Sequence, residues 1–187
     1  MCIRDRLSEE EGTTATYRSV VEAADSSSAE QLTPKAGETY TLGDATWQIL
    51  SCDTDMPDLN ESSIVIKLTY GNTSFLFTGD ATMNTEQGLE MSGYDLKSDV
   101  LKVGHHGSAG STADSFLDAV APEIAVISVD SESDMGEMYH HPATSTLQRL
   151  SQHGIKVYRT DELGTIRITS DGEKLAVSAF ATSTDGT

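Results

Sequence analysis

The order of turn signals and apolar runs predicts a layered α/β protein. Between Glu38 and Thr78, short apolar runs are joined by the tight-turn pairs Gly43-Asp44 and Gly71-Asn72, a pattern of antiparallel hairpins. Beyond Asp80 the texture changes to helical segments alternating with short apolar strands, which calls for crossover connections and helices laid on a sheet. At 187 residues and 37% hydrophobic, the chain has enough apolar material for one core and is most simply one domain.

The opening residues, MCIRDRLSEEEG, carry neither an apolar signal core nor a helical period, so residues 1–12 are read as a non-native or disordered start. Thr14–Ala24 predicts a short helix, with Tyr17, Val20, Val21 and Ala24 at helical spacing and the Ser-rich Asp25–Glu30 ending it. Leu32–Gly37, with Pro34 and Gly37, is a connection. Tyr40–Leu42 and Thr46–Ser51 form the first hairpin, and the Asp-rich Cys52–Glu61 a loop. Ser62–Tyr70 and Thr73–Thr78 flank Gly71-Asn72, a pair suited to the positive φ angles of a two-residue turn. Ile64, Ile66 and Leu68 fall on one face, and Val65, Lys67 and Thr69 on the other. Phe75–Phe77 is apolar on both faces, which predicts an interior strand covered by helices.

Met83–Met91 reads as a helix, Val100–Val103 as a strand, and Thr112–Val120 as a helix capped by Ser111 or Thr112. Glu123–Val129 is a buried strand, followed by the acidic loop Asp130–Glu137. Pro142 suits the first position of a helix through Gln152, closed by Gly154, with Ile155–Tyr158 the next strand. Gly164–Thr169 and Lys174–Phe180 make a terminal hairpin, and residues 181–187 a disordered tail.

Thirty acidic against twelve basic residues give a formal charge of -18. That charge repels polyanions at long range and argues against passive, basic-patch binding of nucleic acid. No apolar run approaches the roughly 18 residues of a membrane helix. Cys2 and Cys52 lack zinc-ribbon spacing, although they could pair in an oxidising compartment.

Three positions carry the chemical signal: Asp80 in Gly79-Asp80, His105-His106, and His141-Pro142. Each alone has a structural explanation, as a turn or cap residue, a solvated loop pair, and a helix entry respectively. Together they sit where strands meet loops along one edge of the sheet. Carboxylate oxygen with neutral imidazole nitrogen is a ligand set for zinc, manganese or iron.

The series Asn60-Glu61-Ser62-Ser63, Phe77-Thr78-Gly79-Asp80, Leu101-Lys102-Val103-Gly104-His105-His106-Gly107-Ser108, Ile127-Ser128-Val129, His141-Pro142, Val157-Tyr158-Arg159-Thr160 and Gly164-Thr165-Ile166 resembles the C-terminal two-thirds of the metallo-β-lactamase-fold domain of ComEC-type DNA-uptake proteins. The likeness runs from about Thr13 to Phe180. It implies a metallo-β-lactamase-like four-layer αββα sandwich, N-terminally truncated, with helices outside and a metal centre at one edge. It further implies two divalent ions, Zn2+ or Mn2+, in the intact domain. Asp80 would bridge them, with His105 and His141 as further metal ligands. Asp80, His106 and His141 are the catalytic candidates, His106 and His141 lining the site and His141 either ligating or donating a proton. Lys102 and Ser108 are motif members kept for packing or loop geometry.

For an intact relative the resemblance implies hydrolysis by water whose pKa the metals lower to about 7. A histidine beside the metals would protonate the leaving group. The substrate class it suggests is a phosphodiester, DNA first, with a small anionic ester or phosphodiester as the alternative and a degenerate non-catalytic module as the non-enzyme reading. It also suggests work outside the cytoplasmic membrane of a bacterium, tethered or secreted. The family's first metal motif, an HxDxDH-type cluster, is absent, since every histidine lies at or beyond position 105. The expectation is therefore a partial domain, with MCIRDR a misassembled start, about half the ligands, and apolar surface exposed on Phe75–Phe77 and Val100–Val103. His140 stands where the family more often has glycine.

Overall fold

The computed structural model describes residues 4–6, as backbone, together with 14–53, 58–130 and 139–180. Strand β1 (Arg4–Arg6) pairs in parallel with β2 (Glu30–Leu32), an element absent from the sequence reading. Helix α1 (Ala15–Ser26) lies between them; Thr14 caps it by accepting a hydrogen bond from the Tyr17 N–H at 3.1 Å. Only Ala24 of its apolar spacing is buried, and Val20 stays exposed.

The main body is a seven-stranded sheet in the order β3 (Thr39–Leu42), β4 (Ala45–Ser51), β5 (Val65–Tyr70), β6 (Thr73–Phe77), β7 (Val100–Lys102), β8 (Ile124–Ile127), β9 (Lys156–Arg159). Pairing is antiparallel from β3 to β6 and parallel from β6 to β9. This change of direction falls where hairpins give way to helical crossovers in the sequence. Helices α2 (Met83–Met91), α3 (Asp114–Val120) and α4 (Thr144–Gln152) supply those crossovers. Their Leu89, Phe116 and Leu150 are buried with Leu76, Leu101 and Ile127 of the strands in one core. Burying such a side chain contributes roughly 1.5–3 kcal/mol, so this face of the sheet carries most of the stability.

The short helix α5 (Thr160–Leu163) leads into a separate two-stranded sheet, β10 (Thr165–Ser170) with β11 (Leu175–Phe180). Its Ile166 and Ile168 share a groove with Phe75, Phe77 and Val126 of the main sheet. The two sheets meet at their turns. The Asn72 N–H donates to the Gly172 carbonyl at 2.6 Å, and a Cβ on Gly71, whose φ is +57°, would stand 2.2 Å from that oxygen. Gly71 is thus required twice, for its backbone angle and for the close approach.

The prediction of a β6 covered by helices on both faces is corrected. Leu76 is fully buried against the helices, but Phe77 is 42% exposed on the face toward the β10–β11 sheet, where its ring stacks on Phe75. Exposure expected on Phe75–Phe77 is therefore present at Phe77. It is absent at Val100, which is buried in the groove toward the β10–β11 sheet, and at Val103, which is buried in the helix-side core. The helix predicted from Pro142 begins at Thr144 instead. The Ala143 N–H is committed to the Gly107 carbonyl at 2.8 Å, which holds Pro142 and Ala143 against the histidine turn. The acidic loop lies largely outside the described residues, as do Cys2 and the tail from 181. Cys52 directs its thiol to the Pro34 carbonyl at 3.4 Å.

Candidate metal centre

Two turns at the C-terminal ends of β6 and β7 build the site. Thr78, fully buried, donates its hydroxyl to the Lys102 carbonyl at 2.8 Å, and the His105 N–H donates to the Gly79 carbonyl at 3.1 Å. These bonds lock the Gly79-Asp80 turn to the histidine turn. Ser63 Oγ accepts from the Asp80 N–H at 3.0 Å, which fixes the carboxylate's root. Behind it the buried Glu61 accepts from Thr82 and Asn84, anchoring the start of α2.

His105 (φ 47°, ψ 46°) and His106 (φ 52°, ψ 24°) are consecutive left-handed residues. For non-glycine residues this costs about 1–2 kcal/mol each, and the fold holds it at the place where two imidazoles must be aimed. His106 Nδ1 lies 2.7 Å from the Ser128 carbonyl. A carbonyl only accepts, so Nδ1 carries a proton and Nε2 is the nitrogen turned toward Asp80. That nitrogen stands 3.4 Å from Asp80 Oδ1. A proton on Nε2, or a cation between the two atoms, would join the imidazole to the carboxylate.

His141 completes the cluster. Its ring meets that of His105 edge to face at 5.5 Å between centroids, and Tyr139 stacks on it at 5.9 Å. Burial, then the neighbouring His105 and His106, lower its pKa against the opposing pull of Asp80. A neutral imidazole is the ligand form, and His141 Nδ1 is buried with no hydrogen-bond partner among the described residues. The donor set and this orphaned nitrogen fit a divalent cation in part. Among the described residues no group of three or more His, Cys, Asp or Glu side chains is placed to hold a metal ion by itself.

The structure thus gathers all four sequence-predicted residues at one edge, with His106 rather than His105 directly against Asp80. His140 is exposed nearby. Lys102 runs back toward the Val103 carbonyl at 2.9 Å; burial lowers its pKa while Asp80 opposes the shift. His153 lies elsewhere, between Asp114 and Asp118 of α3. Sequence reasoning missed Glu61, Glu86 and Arg149. Glu86 could have been found as a carboxylate three positions before Leu89, on the helix face that Leu89 buries. The helix cap predicted at Ser111 or Thr112 is corrected: Ala113 occupies the cap position without a side-chain bond. The Thr112 and Ala113 N–H groups are taken instead by Glu86.

Residues 48–131 match the metallo-beta-lactamase superfamily model. The CmlA beta-hydroxylase E377D mutant shares the fold at a TM-score of 0.51 and 15% identity, over 83% of this chain and 38% of that one. Residues 48–131 thus carry a metallo-beta-lactamase-superfamily domain, and the fold agrees with it. The chain is 39% identical to ComE operon protein 3 of Bacillus subtilis over 71% of its own length, and 40% identical to Competence protein ComA of Neisseria gonorrhoeae over 59%. It is 34% identical to Recombination protein 2 of Haemophilus influenzae over 66%. Within the superfamily, therefore, the domain is similar to competence proteins of the ComEC type. The chain spans 17%, 16% and 15% of those three relatives respectively.

Proposed function

We propose that residues 13–180 of this chain belong to a metal-dependent hydrolase domain that cleaves phosphodiesters, DNA first. The observation that carries this reading is the pairing of Asp80 Oδ1 with His106 Nε2 at 3.4 Å while the far side of His106 is tied to Ser128. A hydrogen bond on the remote imidazole nitrogen is how metal-ligating histidines are usually oriented. Asp80 and His106 would hold the cation, with His141 or His105 beside them. A bound divalent ion supplies a Lewis acid that makes water nucleophilic near neutral pH and offsets charge developing on a phosphoryl oxygen.

The chain's own residues do the rest. Ser63 and the Thr78–Lys102 bond keep the carboxylate and the imidazoles in register. His141, held neutral by burial, is placed beside the site to take up or pass a proton. The formal charge of -18 leaves the cation as the attraction for an anionic substrate, so polymeric DNA should be bound weakly. Similarity to the competence proteins supports DNA handling at the bacterial cell envelope, outside the cytoplasmic membrane. Among the described residues no helix is long and apolar enough to cross a membrane.

The test compares this chain with a longer one carrying an HxDxDH-type cluster upstream of residue 13, each with Mn2+ or Zn2+. The longer chain should cleave DNA, and Asp80→Ala should abolish cleavage; the 187-residue chain should be weak. Cleavage of bis(p-nitrophenyl) phosphate without cleavage of DNA would move the substrate to small phosphodiesters. Cleavage indifferent to Asp80→Ala would overturn the reading.

A further inference from the structure

Glu86 is only 1% exposed, and its hydrogen bonds are to peptide groups away from the residues assigned to the metal. Its carboxyl oxygens accept from the Thr112 N–H at 2.5 Å and the Ala113 N–H at 2.9 Å. From the other side, Arg149 of α4 donates through Nε to the Thr112 carbonyl at 2.8 Å and through Nη2 to the Ser111 carbonyl at 2.9 Å. An acid and a guanidinium on separate helices thus grip the donors and the acceptors of one short backbone segment. Thr112 itself is left-handed at φ 63°, so the segment is strained and needs holding.

The grip is relayed to the histidines. Ser111 Oγ lies 2.9 Å from the Gly104 carbonyl and 3.1 Å from that of Ser108. Thr146, which also receives Arg149 Nη2 at 3.0 Å, donates to the Ser108 carbonyl at 2.8 Å. Gly104 and Ser108 bracket the left-handed pair His105-His106, so both ends of the histidine turn are fastened to the segment that Glu86 and Arg149 hold. Ser111, Thr112 and Thr146 are all buried, where water cannot replace a lost partner.

We infer that Glu86 and Arg149 are positioning residues: acting through the Ser111–Ala113 backbone, they hold the His105-His106 turn in its left-handed form and so keep His106 Nδ1 on Ser128 and Nε2 toward Asp80. This rests on the metal-centre reading for its consequence, but its structural content stands on the hydrogen bonds alone. A residue that only stabilised the fold would shift the melting temperature and leave the His106 tautomer unchanged. A positioning residue shifts the tautomer.

The experiment uses the 187-residue chain, with two-bond ¹⁵N–¹H spectra of the histidine rings and titration with zinc ion alone. In the parent, His106 should show a single tautomer protonated at Nδ1. Glu86→Leu and Arg149→Met should give mixed tautomers and at least about a tenfold loss of zinc affinity, the size usual for partners of metal ligands. Leu50→Val, a core change remote from the turn, should lower the melting temperature without either effect. Should Glu86→Leu fail to fold, Arg149→Lys, which keeps the charge and loses the fork, decides by the same readouts. Folded variants that keep the parent tautomer overturn the inference, as does a Leu50→Val that loses it. A parent that binds no zinc while the variants still shift the tautomer refutes the metal reading and leaves the positioning role standing.

Discussion

Pro142 Cβ lies 2.7 Å from the point where a Cβ on Gly107 would stand, and Gly107 has a φ of +82°. This contact brings the histidine turn after β7 and the His141 segment before α4 together, although 35 positions separate them. Gly107→Ala adds left-handed strain and a clash with a ring that cannot yield without moving His141. The expected loss is roughly 2–3 kcal/mol, or about 4–12 °C in Tm for a domain of this size. The His141 ring resonances should shift with it. Unchanged resonances would show that the two segments are placed independently.

Ser63→Ala tests the root of Asp80. The hydroxyl accepts from the Asp80 N–H at 3.0 Å, and its loss should cost about 0.5–1.5 kcal/mol. Because the bond fixes the carboxylate's backbone, zinc affinity should fall as well. Stability and affinity both equal to the parent would remove Ser63 from the site.

The two faces of β6 should respond unequally to substitution. Leu76→Ala opens a cavity against the helices and should cost about 2–5 kcal/mol. Phe77→Thr, at a position 42% exposed, should cost about 1 kcal/mol or less and reduce light scattering on concentration. Equal losses in denaturant titration would mean that the groove face is packed as tightly as the core.

Elements with their own turn chemistry were legible from residues alone. Gly71-Asn72 located the β5–β6 turn, although β5 begins at Val65 rather than Ser62, and the alternation after Asp80 located α2, β7, α3, β8 and β9. Strand faces were less legible. Phe75–Phe77 reads as apolar on both sides because burial by the β10–β11 sheet and burial by helices demand the same residue types. At the site, the residue types were visible and their aim was not. Which histidine faces Asp80 depends on two left-handed angles and on the Ser128 carbonyl, a backbone atom that leaves no mark in the sequence. Glu86 and Arg149 were hidden for a related reason, since both act on peptide groups of Ser111–Ala113, whose side chains do not reveal the contact.

Glu86 also gives the fold a pH dependence whose sign follows from its surroundings. Burial raises its pKa above the ordinary 4.5, the Thr112 and Ala113 N–H groups and Arg149 offsetting this in part, with Glu90 adding to the rise. The native state therefore binds more protons than the unfolded chain between 4.5 and the raised value. Glu86's contribution to stability is then full below 4.5 and is lost as pH rises through the native pKa. Glu86→Gln has no such titration, so the difference in Tm between parent and variant should favour the parent more at the acid end of that window than above it. Other carboxylates titrate in both proteins and cancel in the comparison. Thermal melts of the two proteins at closely spaced pH values give this difference directly, and one that is flat, or that grows with pH, would show that the carboxyl's burial is not what sets its ionisation.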